Sequence, residues 1–456
     1  MNRWAQYSCL STGPTMTDGD TERKVEAAEK AALELANVDD ADRNAALAAI
    51  ADAIDEHREA VIAVNDEDVT TAEELLEAGE YTQALVDRLK VDDAKVDSIV
   101  EMVDSVAAMD DPLGETLEAR HLDDDLDLYK VAVPIGVIGT VFESRPDALV
   151  QIAALALKSG NAVILKGGSE ASHSNRELFE IIREAAQEVE AIPDGWVQLI
   201  EAREAVDTVL EMDDHIDLLM PRGSSDFVSY VQDNTQIPVL GHTEGVCHVF
   251  VDNEADLAEA VEVAYDAKVQ YPAVCNAVET LLVHEDVARE FLPAVADRYA
   301  EAGVELRGDK RTREILAGFD VEEATDEDWR TEYGDLILAI KVVDSLTAAI
   351  DHINANGSKH TESILTEDQK AARKFMTAID AASVFHNAST RFADGYRYGL
   401  GAEVGISTGK IHARGPVGLE GLTTYKYYLE GDGHLVASYA GEDALPFTHE
   451  EFDGQW

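Results

Sequence analysis

Cys275 stands where acyl chemistry could be done. It lies in Gln270-Tyr-Pro-Ala-Val-Cys-Asn-Ala-Val-Glu-Thr280, after a stretch of helical period (256–268) and before the apolar run Leu281-Leu-Val283. Small and amide side chains around it leave room for a carbonyl carbon to reach the sulfur. A thiol suits the acceptance and release of an acyl group, because its thiolate is reachable near neutral pH and is strongly nucleophilic. A lone cysteine is more often an inert, buried small hydrophobe. This one has Asn276 beside it and follows an array of alternating strands and helices, a setting that points to acyl chemistry coupled to a dinucleotide.

A second concentration of chemistry runs from Phe385 to Tyr428. The segment is rich in Gly and hydroxyl residues, poor in helical period, and carries Arg391, Arg397, Lys410, His412, Arg414 and Lys426 in an acidic chain. Cations gathered in one place are expected to meet an anionic ligand or a neighbouring subunit. The three cysteines, Cys9, Cys247 and Cys275, have no metal-ligand spacing, so reduced thiols and no metal are expected. Val246-Cys-His-Val-Phe-Val251 has the pattern of a buried strand, which gives Cys247 a packing role.

The elements that must position these residues follow from periodicity. Apolar spacing of three and four predicts helices over 21–35, 41–57, 58–64, 71–78 and 82–109. The period then changes, with strands predicted at 128–133 and 136–142. Pro146 and Asp147 open a helix that Gly160 ends. A strand at 161–165, a helix capped by Ser172, a strand at 197–200, a helix near 202–212, a strand at 216–220, a helix from Ser225 and a strand at 237–240 complete this series. Such alternation predicts a doubly wound parallel sheet. Ligands bind these sheets beyond the carboxyl ends of the strands, where the sequence has Phe142-Glu-Ser-Arg145, Lys166-Gly-Gly-Ser169 and Pro221-Arg-Gly-Ser-Ser225. A second series begins near Gly241, with Cys275 near its start and a strand at 336–343.

Composition bounds the whole. A chain of 456 residues has enough length for two or three cores. It holds 92 Asp+Glu against 36 Lys+Arg, a formal charge of −56, yet 46% of its residues are hydrophobic, so it is not an acidic disordered chain. The carboxylates are spread along the sequence, as in His121-Leu-Asp-Asp-Asp-Leu-Asp127, with no single acidic tail. Salt at 1 M confines repulsion to about 3 Å, so the composition predicts a cytoplasmic protein of a salt-accumulating organism. Nucleic acid is excluded as a partner by charge. The longest apolar stretch, 131–142, is too short to cross a membrane and contains Pro134, Gly136 and Gly139. Residues 1–15 carry no acid and lack period; they are expected to be a disordered extension before a start at Met16.

Longer blocks carry a resemblance. Val133-Pro-Ile-Gly-Val-Ile-Gly139, Glu143-Ser-Arg-Pro146, Leu165-Lys-Gly-Gly168, Val274-Cys-Asn-Ala-Val-Glu-Thr280, Asn387-Ala-Ser-Thr-Arg-Phe-Ala-Asp-Gly395 and Gly399-Leu-Gly-Ala-Glu-Val-Gly-Ile-Ser-Thr408 resemble the γ-glutamyl phosphate reductases, also called glutamate-5-semialdehyde dehydrogenases. The similarity extends from Met16 to Tyr428. It implies an aldehyde dehydrogenase-like α/β fold: two doubly wound α/β domains plus a β oligomerisation arm. The implied division is an NADPH-binding domain over 16–240 with 121–135 in the arm, a catalytic domain over 241–400, and a return to cofactor domain and arm over 401–456. The implied reaction is reduction of L-glutamyl 5-phosphate by NADPH to the 5-semialdehyde and phosphate, the second step from glutamate to proline, in a homo-oligomer. It also admits association with glutamate 5-kinase, the enzyme of the preceding step.

The resemblance assigns roles to residues. Cys275 matches the nucleophile that forms a thioester. Its backbone N–H is one oxyanion donor, and such donors are worth about 3 kcal/mol each; Ser144 or Asn276 supplies the other. Aldehyde-oxidising relatives keep a water-activating Glu near positions 241–243, where this sequence has no carboxylate until Glu244. Lys166 matches the lysine that contacts the adenosine ribose, and Ser169 stands where NAD-preferring relatives place a Glu, so a 2′-phosphate is admitted. Gly223, Ser224 and Ser225 open a helix whose N–H groups suit a pyrophosphate, and Asp335 aligns with an acid that holds the nicotinamide ribose. Arg145, Ser389, Thr390 and Arg391 are candidates for the substrate's carboxylate and phosphate, since a guanidinium pairs with both in bidentate fashion. Two other readings are weighed: a sibling that oxidises an aldehyde to an acid, and a non-catalytic binding protein.

Overall fold

The computed structural model describes residues 18–456 apart from Thr82, Ser144, residues 202–204 and Ser224. The expected extension over 1–15, the start at Met16, Cys9, and the candidate site residues Ser144 and Ser224 lie outside the described residues. Two compact units emerge. One contains residues up to Asp97, Ile135–Leu219 and Asn234–Pro238; the other contains Ser98–Pro134, Met220–Asp233 and Val239–Trp456.

A four-stranded sheet has the order Val197–Leu199, Ala162–Gly167, Val137–Phe142, Leu218–Arg222, and its first three strands lie in the first unit. Val137–Phe142 runs parallel to Ala162–Gly167, with Phe142 opposite Gly167. Every residue of Ala162–Gly167 is buried, as expected of a strand covered on both faces. Helix Pro146–Lys158 starts with proline at its first position, where the missing N–H costs nothing. Parallel strands joined by helices leave Lys166 and, just past the neighbouring strand, Arg145 at the same carboxyl end of the sheet.

The second unit has a seven-stranded parallel sheet in the order Val321–Glu323, Glu305–Gly308, Ile337–Val343, Val278–His284, Cys247–Val251, Thr361–Leu365, Ser383–His386. Side chains alternate across a strand, and the central strands use both faces. Val249, Val251, Leu281 and Val283 join one core with helices Leu257–Val269 and Glu285–Glu301. Phe250, Leu282 and Ile364 join the opposite core with helices Leu346–Asn356 and Gln369–Ala378. That is the doubly wound arrangement expected. A separate antiparallel sheet has the order Thr423–Gly431, Leu126–Pro134, Thr116–Asp123, Glu450–Glu451.

Several local expectations need correction. The segments 58–64 and 71–78 form one helix, Arg58–Glu77. The single helix expected over 82–109 is two, Gln83–Leu89 and Asp93–Ala107; the buried Asn65 side chain accepts from the Val91 N–H at 2.7 Å and holds the break open. Ser172 is the first residue of its helix, after Ala171, and does not cap it. The stretch 237–240 is no full strand, only an isolated bridge at Val239. Strand Thr116–Asp123 went unpredicted because its sequence is mostly polar; pairing with Leu126–Pro134 organises it.

Candidate active site

Cys275 sits on the loop between helix Leu257–Val269 and strand Val278–His284, half-buried, with Ala277 N–H closing a turn onto the Val274 carbonyl at 2.9 Å. The loop is clamped at its root. Lys268 in the last turn of the helix meets Glu279 in the strand at 2.6 Å, with both side chains fully buried. Burial pushes Glu279 up to about 7 and pushes Lys268 down, so each partner's charge depends on the other.

Two further contacts shape the nucleophile's backbone. Cys247 donates its thiol to the Cys275 carbonyl at 3.2 Å, so its role exceeds the packing expected of it. Burial drives the Cys247 thiol well up, which keeps it a neutral donor. Gly245 lies flat on the loop: a Cβ there would overlap the main chain of Cys275, so any larger residue would displace the nucleophile. The Gly245 N–H is held by Glu332 at 2.8 Å.

The anion-binding candidates divide between the units. Arg391, Ser389 and Thr390 are buried in the second unit. Ser389 caps the short turn Thr390–Phe392, accepting from the Arg391 N–H, and Arg391 Nε donates to Gln270 of the Cys275 loop at 2.9 Å. Burial lowers the pKa of the Arg391 guanidinium, while the charge of Cys275 is among those that raise it. Thr390 Oγ1 is buried with no hydrogen-bond partner among the described residues. Arg145 belongs to the first unit, at the N-cap of Pro146–Lys158.

The other cations of 385–428 are mostly occupied. Lys410 and Arg414 both reach Asp380, at 3.0 and 2.9 Å, and hold its carboxyl down at about 2. Arg397 pairs with Asp394 at 3.2 Å. The expectation of an anion site built from the whole segment therefore narrows to Arg391 and its turn. Asn276 is also engaged: its Nδ2 donates to the Ala393 carbonyl at 2.8 Å, tying the nucleophile loop to that same turn. One amide hydrogen is left for any oxyanion.

Asp335 is exposed; its carboxylate accepts from the Leu336 N–H and its carbonyl from the Ile337 N–H. Glu332, three residues earlier, is one of four acids that face a cavity. It lines a space of about 540 Å³ with Ser225, Glu244, Asp326, Glu327, Arg330 and Thr331. Ser225 opens helix Ser225–Asp233 as expected, with Gly223 exposed before it, but the wall it shares is rich in carboxylates. In the first unit Lys166 is buried at the end of its strand, and Ser169 is exposed on the turn that follows. Glu170, the one carboxylate of that turn, is folded back against Gly168.

Comparison with known proteins decides the family. Residues 2–314 match the aldehyde dehydrogenase family. A γ-glutamyl phosphate reductase of Natronomonas pharaonis is 76% identical over 96% of this chain and 99% of its own, and one of Haloquadratum walsbyi is 69% identical over 95% and 96%. A crystal structure of γ-glutamyl phosphate reductase from Thermotoga maritima, 45% identical, superposes with a TM-score of 0.87 over 91% of this chain and 99% of that one. The chain belongs to the γ-glutamyl phosphate reductase family, within the aldehyde dehydrogenases. Its fold is accordingly aldehyde dehydrogenase-like. A glyceraldehyde-3-phosphate dehydrogenase from Methanocaldococcus jannaschii complexed with NADP, at 18% identity and a TM-score of 0.66, shares that fold.

A dinucleotide fits the chemistry of the donor set in this family member. Lys166 and Ser169 offer one cation and one exposed hydroxyl at the carboxyl end of a central parallel strand, the position where such sheets take nucleotides. Among the described residues, no helix is long and apolar enough to cross a membrane. Sequence reasoning missed Glu332 and His242. Neither lies in a motif, and both are brought to the Cys275 loop by the fold alone.

Proposed function

We propose that this chain reduces L-glutamyl 5-phosphate to L-glutamate 5-semialdehyde and phosphate with NADPH, through a thioester on Cys275. The observation that carries the reading is the buried Arg391, hydrogen-bonded into the loop of a half-buried thiol. A cation there suits a phosphate leaving from the carbon that the sulfur attacks. The names of the relatives support the same substrate.

The roles are these. Cys275 attacks the acyl carbon, its N–H and the remaining amide hydrogen of Asn276 (or Ser144) meet the oxyanion, and Arg391 with Ser389 and Thr390 receives the substrate's anionic groups, for which Arg145 of the first unit is a separate candidate. Lys166 and Ser169 hold the adenosine end of the dinucleotide, with Ser169 leaving space for a 2′-phosphate. Asp335 offers a carboxylate to the nicotinamide ribose hydroxyls, with Glu332 three residues before it on the cavity wall, and Gly223, Ser224 and Ser225 are the candidates for the pyrophosphate. When bound, NADPH supplies the hydride. No carboxylate stands at 241–243 to activate water against the thioester.

The reverse assay tests this in molar KCl, with L-glutamate 5-semialdehyde, NADP and phosphate. NADPH formation should require phosphate; phosphate-independent oxidation would replace the reading with an aldehyde-to-acid enzyme. Cys275→Ala should abolish turnover and leave NADPH binding nearly intact, and retention of about a tenth of wild-type rate would remove the thioester. The outer strand Thr423–Gly431 exposes Tyr425, Tyr427 and Leu429, which supports a homo-oligomer paired through this arm. Tyr427→Glu should then sediment as a smaller species.

A further inference from the structure

The sulfur of Cys275 and one ring nitrogen each of His242 and His360 lie within 4.8 Å of one another. We propose that His242 is the general base that takes the thiol proton of Cys275 and hands it to the departing phosphate; the second half of that role rests on the acyl phosphate reading above. The tautomer supports it. His242 Nδ1 faces the carbonyl oxygen of Ile406 at 3.0 Å. A carbonyl only accepts, so Nδ1 carries the hydrogen and Nε2 carries the lone pair.

The groups around His242 separate it from its neighbour. Burial works against a charge on the ring, and so does Arg222, while the Ile406 carbonyl and the Glu332 carboxylate favour one. His360 stands edge-on at 5.1 Å between ring centroids. It is fully buried, its Nδ1 faces Thr361 Oγ1 at 2.8 Å, and its Nε2 has no partner among the described residues. With burial dominant and His242 adding to it, His360 falls to about 3 and cannot hold a proton taken from a thiol. Burial dominates at both rings and lowers His242 as well, but of the two only His242 faces a carbonyl and a carboxylate that offset it. A separation up to 4.8 Å exceeds a direct hydrogen bond, but rotation of a cysteine side chain or one bridging water covers it, and apo sites are commonly looser than reacting ones.

The step balances without a co-reactant. The S–H bond breaks as Nε2 takes the proton, and the sulfur's electron pair forms the C–S bond. The C–O bond to phosphate breaks with its pair on oxygen, and that oxygen receives the proton from His242. Thioester and hydrogen phosphate result, with the imidazole neutral again. A general base of this kind is worth about 10²- to 10⁴-fold in rate.

The test is alkylation of Cys275 by iodoacetamide in molar KCl, followed by mass spectrometry of its peptide from about pH 5 to about pH 10. Neither substrate nor dinucleotide is present. The wild-type rate should rise with an inflection well below the ordinary thiol value of about 8.5. His242→Asn, which can still donate to Ile406, should lose about tenfold at pH 7 and move the inflection to that ordinary value. Added imidazole should restore part of the rate to His242→Ala, and His360→Asn should keep the wild-type inflection. A wild-type profile with its only inflection near 8.5, or a His242→Asn profile superimposable on it, overturns the proposal whether or not other variants fold. A His242-dependent profile in a protein that fails the phosphate-dependent assay keeps the thiol–imidazole pair and retires the substrate reading.

Discussion

At the scale of single residues, cofactor choice is the sharpest question. Ser169 is exposed on the turn after Lys166, and Glu170 beside it is folded back against Gly168, so no carboxylate projects from the turn. Ser169→Glu would add one where a 2′-phosphate is proposed to sit. Like charges about 4 Å apart at an effective dielectric of 20 repel by roughly 4 kcal/mol, so the variant should lose NADPH affinity by at least about a hundredfold while NADH changes little. Titration of both dinucleotides against intrinsic fluorescence reads the ratio; an unchanged ratio would show that Ser169 faces away from the ribose. Residue-level legibility was uneven for a physical reason. Cys275, Lys166 and Ser169 sit in contiguous motifs whose local order is itself the signal. Glu332 meets Gly245 across 87 positions, and His242 reaches the nucleophile only because two loops stack. A single Glu among 92 acids carries no mark of that in one dimension.

At the scale of elements, the site depends on what holds the Cys275 loop. Lys268 and Glu279 close its root as a fully buried ion pair, a type in which removal of one partner is costly and replacement of both is often not. Lys268→Met should destabilise the protein by about 3–5 kcal/mol, because Glu279 is left buried without its cation. Lys268→Met with Glu279→Leu should recover most of that loss, since two apolar side chains fill a site already dry. Thermal unfolding of the three proteins at fixed KCl checks the cycle, and additive losses would mean that the pair does not act as a unit. The strands around this loop were legible because they are buried on both faces and read as apolar runs. Thr116–Asp123 and the strand Glu450–Glu451 were not, since a polar edge strand is organised by its partners. The last residues illustrate it: Phe452 stacks on His121 at 3.9 Å and Trp456 on Tyr428 at 4.0 Å, contacts that close the antiparallel sheet from a distant part of the chain.

For the whole molecule, charge sets the conditions under which any of this is measurable. A formal −56 on 456 residues is a self-repulsion that favours the expanded chain at low ionic strength. At most 36 of the 92 acids can be neutralised by the 36 basic residues, and many of the surface pairs present, such as Lys30–Glu34 and Lys310–Glu314, are exposed and individually weak. The two relatives from Natronomonas pharaonis and Haloquadratum walsbyi come from salt-loving archaea, which fits the same reading. Screening shortens from about 10 Å at 0.1 M to about 3 Å at 1 M, so melting temperature should climb steeply over that interval and then more slowly as cations and water order on the carboxylate surface. Activity should track it, because loss of the fold removes the Cys275 loop and the dinucleotide end together. Replacing exposed acids with lysine should flatten the curve in proportion to the charge removed, with the fold unchanged. Equal melting temperatures at 0.1 M and 2 M KCl would defeat the salt argument, and the distributed carboxylates would then need a cationic partner to account for them.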